Sequence, residues 1–295
     1  MSHPPAQSFR AKTLAERIAE SMPSGGAFGP VRRLLKPIFR KLLGRNADGL
    51  RSVLPGGEVL MVSPAHRHVT WNCDEYQAFR AAVRSDDVVL EAGSNVGAYT
   101  MLFARWTGAG GHVYAFEPDP AAYRGLRQHL ALNGLSDQVT TVCAAIADDS
   151  TTHLRFALFA SSGISRMARD REEAGATIEE VPAWSIDRFC RTRGIAPVVI
   201  KIDVEGAELA ALRGARATIA AAGSRLRLFV EMHPHLWPAF GITAGDIERE
   251  CQAQGLIAER LDGATGDLWT LEGVCIRLCP ARNARTVEGE ASRQP

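Results

Sequence analysis

The sequence predicts an α/β protein: a doubly wound, mostly parallel sheet closed by an antiparallel terminal hairpin. Three observations carry this. From position 87 onward, short apolar runs alternate with amphipathic helical segments. The apolar runs are nearly continuous, as expected for strands covered by helices on both faces. The final stretch "LIAERLDGATGDLWTLEGVCIRLCP" reads as two strands joined by a Gly/Asp-rich turn region with no helix between them.

Taken in order, "DVVLEAG" is a strand and "AYTMLFARW" the helix after it. "GHVYAFE" is the second strand. The next helix is opened by Asp119 and Pro120 and closed by Gly134. "QVTTVCAAI" is the third strand and "PVVIKID" the fourth. One helix, "AELAALRGARATIAAAG", leads to the fifth strand, "RLRLFVEM", and "GDIERECQAQG" is the last helix. Positions 146–196 break the rhythm: a polar stretch lies between strands "THLRFALF" and "EVPAW", an insertion near the sheet's carboxyl edge where ligand-shaping loops occur.

This divides the chain into an accessory segment at 1–60, a catalytic-type domain at 61–280 and a disordered tail at 281–295. Within the accessory segment, "VRRLLKPIFRKLLGR" at 31–45 places Val31, Leu34, Leu35, Ile38, Phe39, Leu42 and Leu43 at helical spacing, with basic residues and no acidic one between them. Such a helix docks its apolar stripe on the domain, or lies peripherally on an anionic membrane or acidic partner.

With 295 residues, 46% of them apolar and 23% charged, and a net charge of +1, no global field draws the chain to nucleic acid. No signal-peptide layout or long apolar span is present, so the expectation is a soluble, cytoplasmic protein, with peripheral membrane contact confined to residues 31–45. The six cysteines form no CxxC pair and are read as reduced thiols, with no metal cluster.

The turn Glu91-Ala92-Gly93-Ser94-Asn95-Val96-Gly97 joins the first strand to its helix. Its glycines let the backbone turn sharply and approach a ligand closely. The spacing is G-x-x-x-G, not the G-x-G-x-x-G of a dinucleotide site. Glu91, two places before the first glycine, would repel a pyrophosphate. A ligand with a cationic end and no phosphate fits better, and S-adenosylmethionine is one. The second strand ends in Glu117, where a carboxylate can accept both hydroxyls of a ribose.

"VVLEAGSNVGAYT", "VYAFEPDP", "LRQHLALN", "SIDRFC", "VVIKIDVEGAELAALRGA" and "LFVEMHP" follow one another over positions 86–234. In this the sequence resembles the FkbM family of class I S-adenosylmethionine-dependent methyltransferases. The family has Asp where Glu91 stands, and its "GAN" reads "GSN" here. The resemblance implies a seven-stranded Rossmann-like sheet with an antiparallel last strand. It also implies methylation of a hydroxyl on a sugar, glycolipid or polyketide-like acceptor, small or lipid-linked.

On this reading Glu91, Gly93, Ser94, Asn95, Gly97, Glu117 and Asp203 bind the cofactor. Asp203 lies near its methionine part, Glu205 toward the acceptor, and Glu231 and His233 emerge together from the fifth strand. His233 is the expected base, as a neutral imidazole near pH 7. Asp203, Glu205, Glu231 and His233 could also gather a divalent cation such as magnesium, which the sequence does not require. Glu208 reads as a helix N-terminal charge, "SSGISRM" at 161–167 as acceptor-pocket lining or exposed loop, and Glu75 and Tyr76 as a cofactor lid or plain helix surface. Two other readings are weighed: a cofactor-fold scaffold without catalysis, and an NAD-dependent oxidoreductase, disfavoured by the missing fingerprint. A nucleic-acid methyltransferase would need a basic surface or an Asn/Asp-Pro-Pro-Tyr pocket, and neither is visible.

Overall fold

The structure, a computed structural model, describes residues 8–10, 49–159, 166–167, 176–266 and 268–281. The basic segment at 31–45, most of "SSGISRM" and nearly all of the tail lie outside the described residues. Strands β1 (Ser8–Arg10), β2 (Leu50–Val53) and β3 (Val59–Val62) precede β4 (Thr70–Asn72) and helix α1 (Cys73–Ala82). The alternation then runs β5 (Val88–Ala92), α2 (Ala98–Thr107), β6 (His112–Phe116), α3 (Pro120–Leu132) and β7 (Val139–Val142). The insertion supplies β8 (Ala145–Ile146), β9 (His153–Phe159), β10 (Arg166–Met167) and β11 (Ala176–Trp184). The chain continues through α4 (Ile186–Arg193), β12 (Val199–Ile202), α5 (Glu208–Arg213), α6 (Arg216–Ala222), β13 (Arg227–Met232), α7 (Ala244–Ala253), β14 (Leu256–Arg260) and β15 (Val274–Pro280).

Seven strands form the main sheet in the order β14-β15-β13-β12-β5-β6-β7. β15 is antiparallel to both β13 and β14, while β13, β12, β5, β6 and β7 pair in parallel. The closing hairpin is therefore present, with its second strand inserted between β13 and β14. The carboxyl ends of β5, β6, β12 and β13 converge on one edge, the position at which open α/β sheets bind ligands.

Both faces are covered, which explains the unbroken apolar strands. Leu90, Ile200, Ile202, Leu228 and Val230 pack with Phe189, Leu212 and Ile219 on one side. Val89, Val113, Ala115 and Phe229 pack with Phe79, Met101 and Phe103 on the other. Leu54, Leu60 and Val62 join this second cluster, so position 60, where the sequence reading divides the chain, falls inside β3 on the domain's own core.

Helix starts follow the side chains that cap them. Asp119 accepts from the Ala121 amide at 2.6 Å, with Pro120 as the first helical residue of α3. The single helix expected after the fourth strand is instead two, α5 and α6. A Cβ on Gly214 would stand 2.2 Å from the Ala147 carbonyl oxygen, so the chain passes too close there for an ordinary side chain. Asp187 of "SIDRFC" then restarts the helix, accepting from the Ala217 and Thr218 amides at 2.9 and 2.7 Å.

The third strand also divides. β7 ends at Val142, and β8 leaves the main sheet to pair with β11. β9 and β11 form a long antiparallel pair extended by β10, so the insertion is a second small sheet beside the ligand edge.

Candidate active site

The glycine turn is held by its own amides. Gly93 and Ser94 donate to the Phe116 carbonyl at 3.0 and 2.9 Å, and Gly97 donates to Ser94 at 2.8 Å. The Asn95 amide donates to Oε2 of Glu117 at 2.7 Å, and the Asp119 amide to its Oε1 at 2.8 Å. A pyrophosphate would find these donors already committed.

Gly93, Asn95 and Glu117 line an open cleft, with Pro118, Asp119 and Ala122 at one end. Ala144, Ala145 and Ile146, with Leu154 and Phe156 of β9, form an apolar wall, and Asp203, Val204, Glu205 and Ala207 form the opposite side. Among the described lining residues there is no Lys, Arg or His, whereas Glu117, Asp119, Asp203 and Glu205 are carboxylates. This donor set fits a nucleoside with a cationic tail and not a phosphate ester. S-adenosylmethionine therefore fits the residues present.

Glu91, Ser94 and Gly97 do not line the cleft, and each serves the fold instead. Ser94 Oγ donates to the Phe116 carbonyl at 3.1 Å. A Cβ on Gly97 would stand 2.5 Å from Leu126 Cδ1. Glu91 is buried in the sheet, where its Oε2 accepts from Thr100 Oγ1 at 2.5 Å, and it pairs in register with Lys201 on β12. Burial pushes the Glu91 carboxyl up to about 7, against the pull of Lys201 and Thr100. Its place two residues before the turn reflects this internal partner.

Lys201 is 2% exposed and donates to Oδ2 of Asp203 at 2.9 Å. Burial disfavours its charge, but Asp203, Glu91, Glu231 and Glu75 together hold the ammonium above its ordinary value. Burial likewise works against the Asp203 carboxylate, and Lys201 and His233 outweigh it to hold that group below the usual range. Glu75 and Tyr76 do not lid the cleft. Both are buried; Tyr76 donates to Glu58 at 2.7 Å, and desolvation pushes Glu75 up to about 7.

Behind the Asp203–Glu205 side of the cleft lies a cluster around His233. Its Nε2 lies 3.6 Å from Glu205 Oε2, 3.6 Å from Glu231 Oε1 and 3.9 Å from Asp203 Oδ1. Its Nδ1 lies 2.8 Å from Oε1 of Glu208. Burial opposes the charged ring, yet the bonds and charges of these carboxylates raise His233 to about 11. The expected neutral imidazole is thus an imidazolium at neutral pH, and it stands behind the cleft wall rather than on it. Glu205 is on the wall. Desolvation, helped by Asp203 and Glu231 and opposed by His233, pushes its carboxyl up to about 7. Three described non-glycine residues have positive φ: Asp86, Asn95 and Glu205; the last two line the cleft.

Asp203, Glu231 and His233 also offer donor atoms within 4.8 Å of one another, close enough to share a divalent cation. Lys201 and the protonated His233 already face these carboxylates, so the cluster is compensated by the protein's own groups. All six cysteines are free thiols.

Strand order, turn and strand-end carboxylates together are those of a class I methyltransferase. Residues 91–255, more than half of the chain, match the methyltransferase FkbM domain, and the chain belongs to that family. No curated protein matches the sequence. Among solved structures, a candidate O-methyltransferase from Klebsiella pneumoniae is 15% identical, with a TM-score of 0.43, over 90% of this chain and 96% of that one. An S-adenosylmethionine-dependent O-methyltransferase from Thermotoga maritima is 14% identical, with a TM-score of 0.40, over 78% of this chain and 77% of that one. Likenesses at this level say nothing of acceptor or mechanism.

Lys201 and Trp237 escape the sequence reading, and Glu208 is misread by it. Lys201 sits in an apolar strand run, and only its charge among Val199, Ile200 and Ile202 marks it. Glu208 is fully buried rather than a solvated helix-start charge, and Trp237, which donates to it at 2.7 Å, carries no local signal. Among the described residues, no helix is long and apolar enough to cross a membrane.

Proposed function

We propose that the protein transfers the methyl group of S-adenosylmethionine to a hydroxyl oxygen of a sugar, glycolipid or polyketide-like acceptor, and that Glu205 takes the hydroxyl proton. The observation that carries this reading is the position of Glu205. Glu205 and Asp203 both stand on the cleft wall facing His233, but Lys201 and His233 hold the Asp203 carboxyl low, whereas that of Glu205 is raised to about 7. A base poised near the working pH is what removal of an alcohol proton needs.

When bound, the cofactor supplies an electrophilic methyl carbon on a sulfonium. Glu117 is placed to accept the ribose hydroxyls, since each of its oxygens has a lone pair beyond the one taken by a backbone amide. The apolar wall of Ile146, Leu154 and Phe156 suits the adenine ring, and Asp203 the methionine end. With the cofactor and acceptor bound, a Glu205 oxygen would take the proton that the acceptor hydroxyl gives up on methylation. His233 stays protonated, holding the mutually repelling carboxylates of Glu205, Glu231 and Asp203 in one arrangement. The chain's main contribution is alignment and exclusion of water.

The acceptor class is argued from chemistry rather than contact: the described cleft offers carboxylates and no cation, which favours neutral hydroxylated molecules over phosphorylated or acidic ones. The test is incubation of the purified chain with methyl-labelled S-adenosylmethionine and a panel of neutral glycosides, glycolipids and macrolide-type alcohols, with phosphorylated sugars as the contrast. Label in ether-linked methyl groups of a neutral acceptor supports the reading. Label on nitrogen or carbon, or on none of the panel, overturns it. Peripheral membrane contact through residues 31–45 belongs to the same proposal, as a means of reaching lipid-linked acceptors; binding to anionic vesicles lost on deleting that segment would support it.

A further inference from the structure

The base assigned to Glu205 has to be held, and the turn that carries it is strained: φ is +47° at Glu205 and +100° at Gly206. Left-handed backbone at a non-glycine residue persists only where its surroundings impose it. One side chain meets this turn from within. Oε1 of Glu208 accepts the Gly206 amide at 3.0 Å and also lies 2.8 Å from His233 Nδ1. Its Oε2 accepts the Trp237 indole N–H at 2.7 Å. A single, fully buried carboxylate thus ties together the end of β12 and the end of β13.

We propose that Glu208 is a positioning residue. It locks the Glu205–Gly206 turn and the His233 ring in one relation, so that Nε2 is aimed at Glu205, Glu231 and Asp203. This rests on the reading of Glu205 as the proton acceptor, but the positioning itself can be tested separately.

The geometry gives the reason. With Nδ1 engaged by Glu208, the imidazole has its orientation fixed, and the other nitrogen has three carboxylate oxygens at 3.6–3.9 Å. Those distances are too long for good hydrogen bonds, so these three groups alone would not hold the ring. Trp237, 2% exposed, fixes the far oxygen of Glu208 and leaves the carboxylate no other rotation that keeps its three donors satisfied.

The experiment is nuclear magnetic resonance of the full chain labelled with ¹⁵N-histidine, comparing wild type, Glu208→Gln and Trp237→Phe, with the His233 signals identified by their loss in His233→Gln. The expected wild-type spectrum has a strongly downfield Nδ1–H for His233, the signature of a bond to a carboxylate. It is lost or moved upfield in Glu208→Gln and kept in Trp237→Phe, which removes only the Oε2 contact. A His233 signal that survives Glu208→Gln unaltered overturns the proposal. If Glu208→Gln does not fold, the wild type decides: absence of the downfield proton overturns the proposal, and its presence supports it. Failure of wild type to bind S-adenosylmethionine while the proton is present would instead sink the functional reading and leave the positioning role intact.

Discussion

The backbone carbonyl oxygen of Asp203 lies 1.7 Å from where a Cβ on Gly93 would stand. The glycine turn after β5 and the strand end after β12 therefore touch through bare backbone. Gly93 also has a φ of +82°, which other residues resist. The first glycine of the motif thus lets Asp203 reach the cleft beside Asn95 and Glu117.

Gly93→Ala should accordingly destabilise the protein by about 3 kcal/mol or more, through the backbone clash and the positive φ together. Chemical denaturation of the two proteins would measure it. A stability equal to wild type would mean that the two segments are not in contact.

Lys201 is a buried cation whose removal strands several carboxylates. Lys201→Met should cost about 3–5 kcal/mol in unfolding free energy, because Glu91 and Asp203 lose their common partner. Adding Glu91→Gln should recover part of that loss, since the second substitution removes one of the stranded groups. Losses that simply add would show that Glu91 and Lys201 do not interact.

What the sequence makes legible divides along the same line. The turn, Glu117 and the strand-end acids can be read because each sits at a fixed offset from a local pattern, a strand followed by a glycine turn or a helix. The antiparallel β15 is legible for the same reason: two strand runs with no helix between them. Partners brought together by the fold are not. Glu91 reads as a ligand-facing acid until the register of β5 against β12 places it opposite Lys201. His233 reads as a neutral base because its charge is set by carboxylates on other elements, Glu205 and Glu208, which no local spacing announces. Glu208 at the start of α5 is indistinguishable in sequence from an exposed helix-start acid; only the approach of Trp237 and His233 tells them apart.

The pH dependence should separate catalysis from stability. With Glu205 as the proposed base, methyl transfer requires it deprotonated, so with a carboxyl at about 7 the rate should climb as pH rises through neutrality. The stability contribution runs the other way. A carboxyl raised from 4.5 to about 7 on folding contributes stability that is present below 4.5 and lost as pH rises through 7. Glu205→Gln should therefore abolish the rising limb of the rate profile and make the protein relatively more stable above pH 7. A rate profile in Glu205→Gln that still rises near neutrality would reassign the base.

The most direct test of the central claim is calorimetric titration of S-adenosylmethionine into the wild-type chain and into Glu117→Ala. The cleft around Gly93, Asn95, Glu117 and Asp203 predicts one site per chain of micromolar affinity in wild type. Losing the hydrogen bonds to this buried carboxylate, worth about 2–3 kcal/mol, should weaken binding roughly 100-fold in a folded Glu117→Ala. Absence of binding to wild type, or equal affinity in the two proteins, would contradict the account.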